Sequence, residues 1–211
     1  MTLPLHHDLY LIAHDPSGRP LVHRSSLELG LAGAVLLELT FGGQVIVARG
    51  QAAAARRVTA PTGDPIADGL TGLLGAAPVH VRPLVKRVSA GMYEHVRDVL
   101  VTSGVLVRVS GRRMGLLPYT RYRLADISSV VRASSGVRSA VEGWKPPDAR
   151  CAALCGLVAV LRVERQLYLD VPGGRLVGRL REIAAAGSPV VADLVGVVDT
   201  LVGEAAVAVY R

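Results

Sequence analysis

Arginines are the residues whose types and spacing point most directly to chemistry in this chain. Between Val81 and Ser139 stand eleven basic residues, Arg82, Lys86, Arg87, Arg97, Arg108, Arg112, Arg113, Arg121, Arg123, Arg132 and Arg138, against three acids, Glu94, Asp98 and Asp126. The whole chain carries a net charge of +7, so the residues outside this segment sum to about neutrality. The basic character is therefore local. A guanidinium keeps its charge at any physiological pH and presents a fork of donors that matches phosphate or carboxylate oxygens, so a local cluster implies a local anionic partner.

Catalytic and metal chemistry find less support. His6, His7 and Asp8 are adjacent, and on a helix consecutive side chains diverge too far to share one metal; they read as a surface cluster. His14, His23, His80 and His95 form no His-Glu-x-x-His pair. Cys151 and Cys155 fall four apart on one apolar helix face without the further ligands that zinc needs, so they read as packing residues. No Gly-x-Ser-x-Gly elbow, Walker loop or Gly-x-Gly-x-x-Gly occurs, and Val171-Pro-Gly-Gly-Arg175 lacks the Lys-Ser/Thr of a phosphate loop. The chain reads as non-enzymatic, with no cofactor and no metal site.

The elements that must position the arginines are mostly helices. A run at Leu5–His14 is helix or strand and ends in the turn Asp15-Pro16-Ser17-Gly18. Ser25–Phe41 is the strongest helix, with Ser25 or Ser26 as cap, Glu28 in its first turn and Gly42-Gly43 as its stop. Apolar residues occupy nearly all its faces, which places it at the buried centre. Gln44–Ala48 and Arg56–Ala60 are short strand-like runs around an Ala-rich link, Gly50–Ala55. Asp64 caps a helix from Ile66 to Leu74, and capping accounts for it better than catalysis does.

Helical patterns follow at Val81–Val88 and Met92–Ser103, the second ended by Gly104. Val105 to Val109 then alternate in character and Ser110-Gly111-Arg112-Arg113 supplies a turn, which predicts a β-hairpin tipped by arginines. Helices are expected at Ala125–Val141, Asp148–Val163, Arg175–Ala186 and Val190–Tyr210, with Trp144-Lys145-Pro146-Pro147 as a break. The last should set Val190, Leu194, Val197, Val198, Leu201 and Ala205 on one face and close the bundle. The fold class is mainly α: a single-domain helical bundle, residues 1–211, around a buried central helix, with a projecting β-hairpin.

Composition narrows the partners. Half the residues are apolar, so a sizeable core forms; only 4% are aromatic, with one Trp and one Phe, which leaves few platforms for stacking on single-stranded nucleic acid. The two most apolar stretches, Leu27–Phe41 and Pro189–Tyr210, are interrupted by acids and are poor spanning helices. The N-terminus lacks a basic region followed by an apolar one. A cytoplasmic, soluble protein is expected. The use of 22 Arg but only two Lys, with much Ala, Val and Gly, suggests a GC-rich bacterial genome.

LHHDLYLIAHDPSGR, GLAGAVLLEL, APTGDP, the helix end LVTSGVL with its hairpin, and the apolar C-terminal helices follow one another in a familiar order and spacing. Over roughly residues 3–210 the chain resembles the Golgi phosphoprotein 3 family, in its actinobacterial branch. The resemblance implies a mostly helical domain with a projecting hairpin. It also implies binding of phosphatidylinositol 4-phosphate at a membrane surface through a basic pocket; the eukaryotic members further recruit glycosyltransferase tails.

The family's pocket tryptophan falls on His23, its central-helix arginine on Ala32, and its two later arginines near Ala90 and Tyr93. With those residues changed, the expected lipid-binding surface is a different basic one: His23, Arg24, Lys86, Arg87, His95 and Arg97. By the same resemblance the 105–117 hairpin contacts the membrane or joins protomers through Val107, Arg108, Arg112, Arg113, Met114 and Leu116. The expected partners are anionic phospholipid headgroups at the inner membrane surface, with a possible homo-oligomer. Two alternatives stand beside this reading: a non-enzymatic oligomeric scaffold, and a winged-helix DNA binder, in which Met92–Ser103 and the hairpin form recognition helix and wing. The second leaves the apolar N- and C-terminal regions unexplained.

Overall fold

The computed structural model describes residues 3–55, 61–113, 117–125 and 127–209. The long apolar run forms α2 (Arg24–Phe41), and twelve of its residues are buried, from Ser26 to Leu39. Around it pack α1 (Leu5–Ile12), α3 (Pro65–Leu73), α4 (Val81–Val88), α5 (Met92–Thr102), α7 (Ala149–Leu161) and α9 (Pro189–Val209). Helices α6 (Ser128–Glu142) and α8 (Gly173–Ala185) form a further layer against α7. The fold is mainly α and single-domain, as expected, with small antiparallel sheets beside it.

Close helix approach explains why α2 carries glycines despite their low helix propensity. A Cβ on Gly33 would overlap Val198 of α9, and one on Gly30 would come within 2.8 Å of Leu161 of α7. Polar groups lock the same bundle at one end. Glu38 of α2 accepts a hydrogen bond from the Leu5 backbone N–H at 2.8 Å, capping α1, whose own N-cap residue is Pro4. Arg150 of α7 donates to Glu38 and to the Leu3 carbonyl, so α1, α2 and α7 share one charged clamp.

Several local expectations are corrected. The serine cap of α2 is absent: His23 is the N-cap residue, Ser26 is buried inside the helix, and Ser25 Oγ instead meets His23 Nδ1 at 2.8 Å. The Ala-rich stretch read as a link is a strand: β1 (Val45–Ala48) pairs antiparallel with β2 (Gln51–Ala54). Arg49 and Gly50 both take positive φ, 53° and 72°, which is the two-residue turn that matches strand twist and returns the chain at once. Alanine's weak strand preference hid β2. The expected strand at 56–60 lies outside the described residues. β3 (Val79–His80) completes this sheet.

The turn expected at Ser110–Arg113 is also corrected, because those residues belong to β4 (Leu106–Arg113), paired with β5 (Leu117–Leu124). Ser110 stands opposite Thr120, Gly111 opposite Tyr119, Arg112 opposite Pro118 and Arg113 opposite Leu117. Gly111 marks a packing site rather than a bend: a Cβ there would meet the Tyr119 ring at 2.9 Å, so the ring lies across the bare backbone. Met114 and Leu116, with the turn itself, lie outside the described residues.

His6, His7 and Asp8 are not a surface cluster. His6 is fully buried and His7 is 5% exposed, because α1 lies inside the bundle against α2, α6 and α7. His6 Nε2 lies 3.1 Å from Asp64 Oδ2, while Asp64 Oδ1 caps α3 by accepting from the Ile66 N–H at 2.9 Å. The capping role expected for Asp64 is present, and the same carboxylate meets a buried histidine. Cys155 is buried in α7, in line with its reading as a packing residue, and among the described residues no group of His, Cys, Asp or Glu is arranged to hold a metal ion.

Candidate functional site

The six residues expected to bind anions stand in different settings. Arg24 opens α2 and is matched by two acids, Glu28 at 3.2 Å and Glu94 of α5, while its guanidinium lies 5.3 Å from the Tyr93 ring centroid. Arg97 on α5 pairs with Asp98 at 2.8 Å and stands 4.4 Å over the Tyr122 ring of β5. Both cations are held by aromatic faces and carboxylates, which fastens α2 to α5 and α5 to the hairpin. His23 is exposed, and its Nδ1 meets the Oγ of Ser25, two residues on.

Behind Arg24 lies an uncharged aromatic corner. His14 Nδ1 donates to the Tyr10 carbonyl at 2.6 Å, which leaves Nε2 to accept from the Tyr93 hydroxyl at 3.1 Å. Tyr10 and His14 stack with ring centroids 4.0 Å apart. Burial pushes the His14 pKa down to about 4, so the ring is neutral at physiological pH. The space enclosed by Tyr10, His14, Gly18, Tyr122 and their neighbours is about 10 Å3. That is room for one water and not for a lipid headgroup.

Lys86, Arg87 and His95 have a different setting. Lys86 and Arg87 occupy the last turn of α4, His95 the first turns of α5, and all three are exposed. Among the described residues none of the three forms an ion pair, so their donors face solvent. The structure brings Arg87 and His95 together on the rim of a groove of about 930 Å3 between α3, α4 and α5. Asp98 of α5 also lines it, and the remaining walls are mostly apolar: Ile66, Leu70 and Leu73 from α3, Val88 from α4, and Met92 and Val99 from α5.

The hairpin supplies a third surface, whose composition follows from its register. Val107 stands opposite Arg123 and Val109 opposite Arg121, and directly opposed residues share a face. That face also carries Tyr119, with the Arg121 guanidinium 5.2 Å from its ring. Arg108 is opposite Tyr122 on the other face, the one that meets Arg97, so Val107 and Arg108 lie on opposite faces of the hairpin. Arg112 and Arg113 are placed by register at the far end of β4, opposite Pro118 and Leu117. Arg121 and Arg123 were absent from the expected site, although their alternation with Tyr122 has the period of a strand and signals it.

A family model described as Golgi phosphoprotein 3 (GPP34) matches residues 5–201, nearly the whole chain. The chain belongs to the Golgi phosphoprotein 3 family. No curated protein matches the chain well enough to count as a relative. Of the residues on or near which the resemblance set the expected headgroup pocket, His23 and Ala90 are exposed, Ala32 is fully buried and Tyr93 is half-buried in the neutral corner. Among the described residues no helix is long and apolar enough to cross a membrane.

Proposed function

We propose that this Golgi phosphoprotein 3 family member is a non-enzymatic, peripheral membrane protein that binds anionic phospholipid at the cytoplasmic face of the inner membrane. The observation that carries the reading is the outer face of the hairpin, where Val107 and Val109 are set opposite Arg123 and Arg121. Valines at that depth enter the boundary between headgroups and acyl chains while the arginine stems lie along it and hold their charges among the phosphates. Each cation near an anionic surface contributes about 1 kcal/mol. Lys86, Arg87 and His95, without acidic partners among the described residues, add a second basic surface. The family's arginine pocket for phosphatidylinositol 4-phosphate is replaced by neutral residues, so the ligand is an anionic phospholipid as a class, phosphoinositides included.

Vesicle flotation tests this. Wild type should float with phosphatidylcholine vesicles containing phosphatidylglycerol or phosphatidylinositol 4-phosphate, and stay behind with phosphatidylcholine alone. Arg121→Glu/Arg123→Glu should lose most of that recovery while its circular dichroism is unchanged. Equal recovery on neutral and anionic vesicles would overturn the proposal. A gel shift on duplex DNA that the same double variant abolishes would favour the winged-helix alternative.

A further inference from the structure

The groove between α3, α4 and α5 is edged by a helix face that is only partly covered among the described residues. Ile66, Gly69, Leu70 and Leu73 fall at i, i+3, i+4 and i+7 of α3, the spacing of a stripe that ordinarily packs against a neighbour. Ile66 is half-buried against the core and Leu70 is 4% exposed, but Leu73 is 66% exposed, and Gly69 has no atom within 4 Å of where its Cβ would stand. Val88, Met92 and Val99 form the opposite wall. The volume of about 930 Å3 is that of a small-molecule site.

The charges sit at one rim. Arg87 and His95 line the groove and have no acidic partner among the described residues, whereas Asp98, the acid lining it, is paired with Arg97 at 2.8 Å. An apolar trough with unmatched cations on its edge is complementary to an anionic amphiphile. The walls contributed by α3, Val88, Met92 and Val99 are hydrocarbon, so an extended peptide laid there would bury backbone N–H and C=O groups without partners. A hydrocarbon chain has none to satisfy.

We infer that the groove receives one acyl chain of an anionic phospholipid, with Arg87 and His95 on its phosphate. The inference rests on the membrane-binding reading and adds a place for the lipid's chain, on the side of α5 away from the Tyr93 and Arg97 corner. Binding then has two parts: a surface attraction that every anionic vesicle provides, and a chain contact that grows with chain length.

Short-chain lipids below their micelle concentration separate the two. Calorimetric titration should show glycerophosphoglycerol, which has the headgroup alone, binding at least about tenfold more weakly than dihexanoyl phosphatidylglycerol. Lengthening to the dioctanoyl lipid should strengthen binding by roughly a further tenfold, as burying two more methylenes requires. Gly69→Trp, at an open position that tolerates a side chain, should fill the groove and remove that chain-length gain. Leu73→Glu should do the same by placing a carboxylate on its lip. Both variants should still float on phosphatidylglycerol vesicles.

Affinity independent of chain length, or Gly69→Trp binding the dioctanoyl lipid as wild type does, would overturn the inference. So would a mass by light scattering that falls from dimer to monomer in Gly69→Trp, which would make a second copy the occupant. Chain-length dependence in a wild type that fails to float would sustain the groove and sink the membrane reading; flotation without chain-length dependence would do the reverse.

Discussion

His7 and His14 lie on and just after one buried helix, seven residues apart, and both are held neutral by desolvation. Each has its pKa lowered from 6.5 to about 4. The unfolded chain protonates both as the pH falls through 6.5, while the folded chain resists until about 4. Stability is therefore lost across that window, by about 3 kcal/mol for each ring. Asp8 works in the opposite direction: burial raises its pKa from 3.8 to about 6, against the pull of Arg150, so the folded chain takes up that proton first. This returns roughly 3 kcal/mol between about pH 6 and 4. The net expectation is a loss of a few kcal/mol, read as a lower urea midpoint at pH 4.5 than at pH 7. His14→Gln should remove most of the dependence, because the gain from Asp8 then nearly offsets the loss from His7; a wild-type midpoint that does not move with pH would contradict it. None of this was visible in the sequence, where His6-His7-Asp8 has the look of a polar surface patch.

At the scale of elements, the hairpin is positioned by a glycine far from it in sequence. Gly18, in the loop between α1 and α2, has φ +81° and its missing Cβ would overlap the carbonyl oxygen of Tyr122 in β5. Only a bare backbone fits there, both for conformation and for space. Gly18→Ala should destabilise the protein by about 2 kcal/mol or more, and trypsin should cut β5 at Arg121 or Arg123 much faster than in wild type. Unchanged cleavage would show that the loop does not hold the hairpin. The turn Asp15-Pro16-Ser17-Gly18 was legible as a turn, since its residue types demand one. Its docking on β5 was not, because a contact across more than a hundred residues leaves no local signature.

For the molecule as a whole, the net charge of +7 is concentrated on surfaces that the fold leaves unpaired. Ion pairs neutralise Arg24, Arg82, Arg97, Arg150, Arg179 and Arg181. Among the described residues Lys86, Arg87, Arg121 and Arg123 are left without an ion pair and face solvent, as do Arg19, Arg49, Arg108, Arg132, Lys145, Arg162, Arg165 and Arg175 elsewhere on the surface. Attraction to an anionic bilayer should accordingly be screened once the Debye length drops to a few ångströms. Recovery on phosphatidylglycerol vesicles should fall at least about fivefold between 0.05 and 0.5 M salt. What survives at high salt measures the apolar share from Val107, Val109 and the groove. Salt-insensitive binding would place the whole affinity in apolar contacts and contradict a role for the arginines.

The helices other than α1, which the sequence left as helix or strand, the central place of α2, the Asp64 cap and a basic hairpin after α5 were determined by the sequence alone. Each rests on interactions a few residues apart: apolar periodicity, capping chemistry, glycine stops. The tertiary structure alone decided which arginines are free. Whether Arg97 or Arg121 carries usable charge depends on the strand register that sets Tyr122 beneath one and Val109 opposite the other. That pairing also fixes the face each arginine presents, and charge compensation is a property of space, not of neighbourhood along the chain.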